Sequence, residues 1–228
     1  MPDETTPTNP TRSASEPGTA SFGRRAIGRG SAAVVVCGLT VLFASGLLGP
    51  KEMPRVAPEE MAGRAFQRSQ EAYGIAGFSR TIEPGVEDIG VGTENTFSSD
   101  YCYDGGLLGL KDDAVDGAYR MHHSWALDHV PASQAVPGLR RLRQHLEDSG
   151  WEVTSSREGT KDQSWDLYVR RDGGERMSFT WYPDREYFMG GASVPCAFAP
   201  EWKEGDVGLP GEDETPPVFG PARRDQGM

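Results

Sequence analysis

From Tyr119 to Leu127 apolar and polar residues alternate, with Tyr119, Met121, His123, Trp125 and Leu127 on one side. A period of two predicts a strand with one buried face. The period then changes. Leu139, Leu142 and Leu146 recur at helical spacing over Pro137–Ser149, while Arg140, Arg141 and Arg143 fall mostly on the other side. Pro137 suits the first helical position, and Gly150 a left-handed stop after which Trp151 folds back onto the last turn. Alternation returns three times: at Trp151 and Val153, at Trp165, Leu167 and Val169, and at Met177, Phe179 and Trp181. Asp172-Gly173-Gly174 predicts a hairpin between the last two, and Pro183-Asp184 a further turn. A final strand runs from Glu186 to Val194 and ends at Pro195-Cys196. One apolar face per strand predicts an antiparallel sheet covered on one side by a helix. The expected fold is therefore α+β, with the order β-α-β-β-β-β, over residues 97–200.

The flanks follow other patterns. Residues 1–23 are rich in Pro, Thr, Ser and Glu and have no apolar period, so residues 1–30 are expected to be a disordered cytoplasmic tail. Ser31–Gly49 then holds 19 residues with neither a charge nor a proline. As a helix this run reaches ~28 Å, close to the ~30 Å of bilayer hydrocarbon. A helix also satisfies its own backbone groups in lipid. A single N-terminal transmembrane helix in the lipid bilayer is expected over 31–49. Two alternatives stay open: a signal peptide cleaved near Ala44-Ser45-Gly46, which would make the protein secreted, and a buried helix of a soluble domain. Val36 before Cys37 disfavours a lipoprotein. Ala-Ile-Gly-Arg after Arg24-Arg25 fits a twin-arginine signal poorly.

Arg24, Arg25 and Arg29 precede the run, and Lys51 and Arg55 follow it, a slight bias toward a cytoplasmic N-terminus. The short leading tail and the large acidic domain beyond point the same way, with the C-terminal domain extracytoplasmic. Residues 58–73 read as a helix, with Pro58 near its start and Glu59 and Glu60 in the first turn. It is expected to be a stalk or packing helix above the membrane, within a helical stalk and linker over 50–96. Residues 201–228, acidic and rich in Pro and Gly, are expected to be a disordered tail.

Composition bounds the rest. A hydrophobic share of 36%, with 29 Gly and 17 Pro, fits a modest core between long flanks. The net charge of -11 excludes nucleic acid as a partner, since a phosphate backbone needs a basic face. Of the three cysteines, Cys37 lies in the apolar run, while Cys102 and Cys196 frame the core. In an oxidising compartment these two are expected to form a structural disulfide. Closing so long a loop is worth about 4–5 kcal/mol in the chain-entropy picture. Two separate buried thiols are the alternative.

Candidate chemistry is sparse. His122, His123, Asp128 and His129 cluster in sequence and invite a metal site, but neighbouring strand residues point to opposite faces. Asp112, Asp113, Asp116 and Gly117 faintly resemble a calcium loop, yet Ala114 stands where a ligand is needed, so a solvated acidic turn is the simpler reading. Asp104-Gly105-Gly106 and Gly190-Gly191 read as turns or a bulge. Tyr168, Tyr182 and Tyr187 would make an interaction patch only if contiguous. There is no G-x-S-x-G elbow, H-E-x-x-H or Walker loop. Leu209-Pro210-Gly211 begins like a wall-sorting signal but no apolar tail follows. No catalytic, cofactor-binding or metal residue is assigned, and no cofactor is expected.

The segment Leu139–Trp151, with its helix ending in Gly-Trp, the strand meander and the closing Pro195-Cys196, resembles uncharacterised actinobacterial membrane or lipoprotein sequences over residues 119–196. The resemblance implies an exported α+β domain and brings no activity or site residue. The expected function is a membrane-tethered, non-catalytic module that binds an envelope protein or cell-wall partner. The alternatives are an envelope hydrolase using His123 with Asp128 or Asp166, and a purely structural spacer.

Overall fold

A computed structural model describes residues 53–104, 113–160 and 163–222, which fall within one unit of the chain, Pro50–Met228. In chain order the described elements are α1 (Pro58–Ala76), β1 (Gly85–Val86), β2 (Glu94–Asp104), β3 (Asp113–Leu127), α2 (Ala132–Asp148), β4 (Glu152–Arg157), β5 (Trp165–Arg170), β6 (Arg176–Tyr182), β7 (Tyr187–Ser193) and β8 (Ala197–Phe198). The strands form one antiparallel sheet in the order β1-β2-β3-β7-β6-β5-β4, with β8 continuing along β3. Helix α2 carries the chain from β3, mid-sheet, to the far edge. A meander then returns to close β7 onto β3.

The alternation from Tyr119 to Leu127 lies in β3, and its inner residues pair across the sheet with like neighbours. Trp125 faces Gly190, which faces Phe179, which faces Leu167. Their shared face meets both helices in one core. Gly190 is needed there: a Cβ would lie 2.5 Å from Trp125 Cζ2 and 2.9 Å from Phe179 Cδ1. Gly150 has φ of 80°, and the Trp151 N–H reaches Leu146 O at 2.9 Å, the expected helix stop. Gly173 and Gly174, with φ of 98° and 100°, turn β5 into β6 as the sequence predicts.

Several expectations are corrected. Helix α2 starts at Ala132, so Pro137 lies inside it rather than at its first turn. The α1 segment is no stalk. Met61, Ala65, Phe66 and Tyr73 are buried on the sheet, because its apolar stripe has a sheet face to cover. The folded region therefore begins well before residue 97. It also continues past 200: Ile82 and Phe219 exchange backbone hydrogen bonds at 2.8 and 2.9 Å, and Phe219 is fully buried. Residues 201–222 pack as a return segment, since one aromatic anchors them in the core. The order β-α-β-β-β-β survives as β3-α2-β4-β5-β6-β7, to which β1, β2, β8 and α1 are added. Among the described residues no helix is long and apolar enough to cross a membrane; the span expected at 31–49 lies outside them.

Cys102 and Cys196 are disulfide-bonded, with Cα atoms 6.1 Å apart and 94 positions between them. The bond ties β2 to the segment between β7 and β8.

Candidate functional site

Alternation gives the sheet a second face, opposite the helices. Its register can be read in rows. One row runs Ser98, His122, Ser193, Arg176, Arg170 and Glu152 from β2 to β4. The next runs Thr96, Ser124, Gly191, Ser178 and Tyr168. The third runs Glu94, Ala126, Met189, Thr180 and Asp166. Hydroxyls and cations thus occupy the positions that the core residues leave outward. The middle of the first two rows, from His122 to Arg170 and from Ser124 to Tyr168, lines a concavity of about 460 Å³.

Gly191 forms its floor. A Cβ there would lie 2.7 Å from His123 O, so a side chain is excluded and the floor stays backbone. Tyr168 stands 42% exposed at one side. Arg170 is held by Glu152 through contacts of 2.8 and 3.0 Å. Arg176 has no carboxylate partner among the described residues. Two positions before His122 on β3, Arg120 directs Nη2 toward Cys196 Sγ at 3.5 Å, and its buried Nε has no hydrogen-bond partner. Burial, and then the charge of Arg176, lower the Arg120 pKa against the opposing pull of Asp100.

His122 sits between these groups, with Nε2 2.9 Å from Asp100 Oδ2 but poorly aligned for a hydrogen bond. Burial lowers its pKa most, and Arg120 and Arg176 add to that, while Asp100 opposes them. A neutral imidazole at pH 7 follows from the direction of the shift.

The residues singled out in the sequence are scattered. His122 is on the open face and His123 is in the core, bonded to Asn95 Oδ1 at 2.9 Å. His129 and Asp128 meet at 2.7 Å in the turn after β3, where Arg80 also holds Asp128. The four do not converge. Asp166 pairs with Arg157 at 3.6 Å, so His123, Asp128 and Asp166 occupy three separate places. The Asp113–Gly117 stretch is strand, not turn. Asp116 accepts from Trp202 Nε1 at 3.0 Å, and the Trp202 ring covers Gly117, whose φ is 70°. Asp112, Gly105 and Gly106 lie outside the described residues. Gly190-Gly191 is regular strand. Tyr182 and Tyr187 neighbour each other beside Arg185, while Tyr168 is two strands from Tyr187, so the tyrosines form no contiguous patch. Sequence reasoning missed Arg170, Arg176 and Tyr168 as neighbours of one cavity. Their outward parity on alternating strands was the signal that could have found them.

No family model matches the chain, and no curated protein does. A crystal structure of a DUF4853 family protein from Actinomyces odontolyticus is similar to it at 14% identity and a TM-score of 0.40, over 68% of this chain and 78% of that one.

Proposed function

We propose that this chain is a single-pass membrane protein that holds a disulfide-stapled, non-catalytic binding domain outside the cell, with the open sheet face as its binding surface. The observation that carries the reading is that face. Five strands present rows of hydroxyls and cations around a concavity, and both helices lie on the other side. Binding is favoured over hydrolysis because His123 is sealed in the core, away from Asp128 and Asp166. The tether rests on the uncharged run Ser31–Gly49. The outward orientation is supported by the disulfide, which persists in oxidising compartments.

The test uses the full chain in intact cells, with a photoreactive side chain at Ser178 on the open face or at Gln67 on exposed α1. Adducts with an envelope component from position 178 and none from 67 are expected. Equal labelling from both, or none from 178, would remove the reading of the face. Orientation is checked with an added protease: a C-terminal tag that stays protected in intact cells would reverse it.

A further inference from the structure

We infer that the open face binds a sugar carrying one acidic group, with His122 and Arg176 around the acid and Tyr168 against the ring; this rests on the reading of that face as the binding surface.

The chain carries -11, yet here Arg120, Arg170 and Arg176 gather against only two acids, Asp100 and Glu152. Arg176 has no carboxylate partner among the described residues. Arg120, two positions before His122 on the same strand, adds a second guanidinium close enough to Arg176 to feel its charge. The acid in contact with His122 is Asp100, whose side chain is 70% exposed and only partly offsets two guanidinium groups. Guanidinium forks suit the paired oxygens of a carboxylate or phosphate. An incoming oxyanion would accept from Arg176 and be drawn by the charge of both arginines.

The cavity volume of about 460 Å³ exceeds what a bare anion fills and falls in the range of small-molecule sites. Ser124, Ser178, Ser193 and Thr154 line it with hydroxyls that both donate and accept. Tyr168 adds an exposed ring with a polar tip, suited to a ligand with an apolar flank and wet edges. The bare Gly191 floor lets a flat ring approach the backbone. A polyhydroxylated ring uses all of these. A neutral sugar leaves the arginines unmatched, and free phosphate leaves the Tyr168 side empty.

The test is saturation-transfer NMR on the full chain in non-ionic detergent, with millimolar glucuronate, glucose 6-phosphate and glucose as separate probes, and with inorganic phosphate, which has no observable protons, read by its competition against them. At least one acidic sugar is expected to bind more than tenfold tighter than either glucose or inorganic phosphate. Which one binds tells a carboxylate from a phosphate. Salt should weaken that binding. Arg176→Gln, at an exposed position, should weaken it at least tenfold, and Arg143→Gln on α2 should leave it unchanged. The inference is overturned if neither acidic sugar binds, if glucose or phosphate binds equally well, or if Arg176→Gln binds as the parent does. Labelling from position 178 in cells without acidic-sugar binding would sink the ligand class alone. Failure of both experiments would sink the binding face as well.

Discussion

His123 is enclosed by Phe66, Phe97 and Phe219, with ring centroids 4.9, 5.4 and 4.8 Å away. Its Nε2 lies 2.9 Å from Asn95 Oδ1, while Asn95 Nδ2 donates to Pro217 O and Ile82 O. The network assigns the proton to Nε2 of a neutral ring. Burial pushes the pKa down to about 3, well under the unfolded value near 6.5. Between those values the unfolded chain binds more protons, so stability rises with pH and is lost as pH falls below about 6.5. By pH 5 the loss is about 2 kcal/mol for this group. Asp128, held low by Arg80 and His129, loses its contribution only at more acidic pH. Denaturant unfolding from pH 7 to 5 should therefore show a flatter pH dependence in His123→Gln than in the parent. His122, also lowered, leaves a residual slope of the same sign. Equal slopes in the two proteins would contradict this account.

At the scale of elements, the return segment 201–222 is pinned by one side chain. The Phe219 ring lies 4.9 Å from Tyr73, 5.5 Å from Phe66 and 5.8 Å from Trp125. It thereby joins α1, β3 and the C-terminal region. Phe219→Ala should cost about 3–5 kcal/mol in a denaturant titration and make residues 201–222 sensitive to limited proteolysis. An unfolded tail would tolerate the change at no cost.

This segment also explains where sequence reading stops. β3, β5 and β6 are legible because a large apolar residue recurs at every second position. β2 is not, because its inward positions are Asn95, Phe97 and Ser99. Asn95 is satisfied by Pro217 O, and Ser99 by Pro210 O at 2.7 Å. Partners more than 100 positions away leave no local pattern. Phe219, alone among Pro, Gly and acids, leaves none either. The candidate site is half legible in the same sense. Parity turns Arg176 and His122 outward, but only the β3–β7–β6 pairing makes them neighbours.

For the whole molecule, the disulfide joins fold to location. It closes a loop of 94 positions around β3, α2 and the meander. In the unfolded chain such a closure removes conformational entropy worth about 4–5 kcal/mol. The folded chain already holds Cys102 buried beside the register shift in β2, so little further ordering is needed. Reductant, or Cys196→Ser, should lower the unfolding free energy by up to that amount. The same bond tests the compartment. Cells are lysed in denaturant containing an alkylating agent, with or without prior reduction. Cys37 is the internal control, since it has no partner cysteine once the other two are bonded. In an extracytoplasmic domain Cys102 and Cys196 should resist alkylation until reduced, while Cys37 reacts in both samples. Prompt alkylation of all three would place the domain in a reducing compartment. The stabilising loop and the proposed orientation would then fall together, because both rest on the one bond.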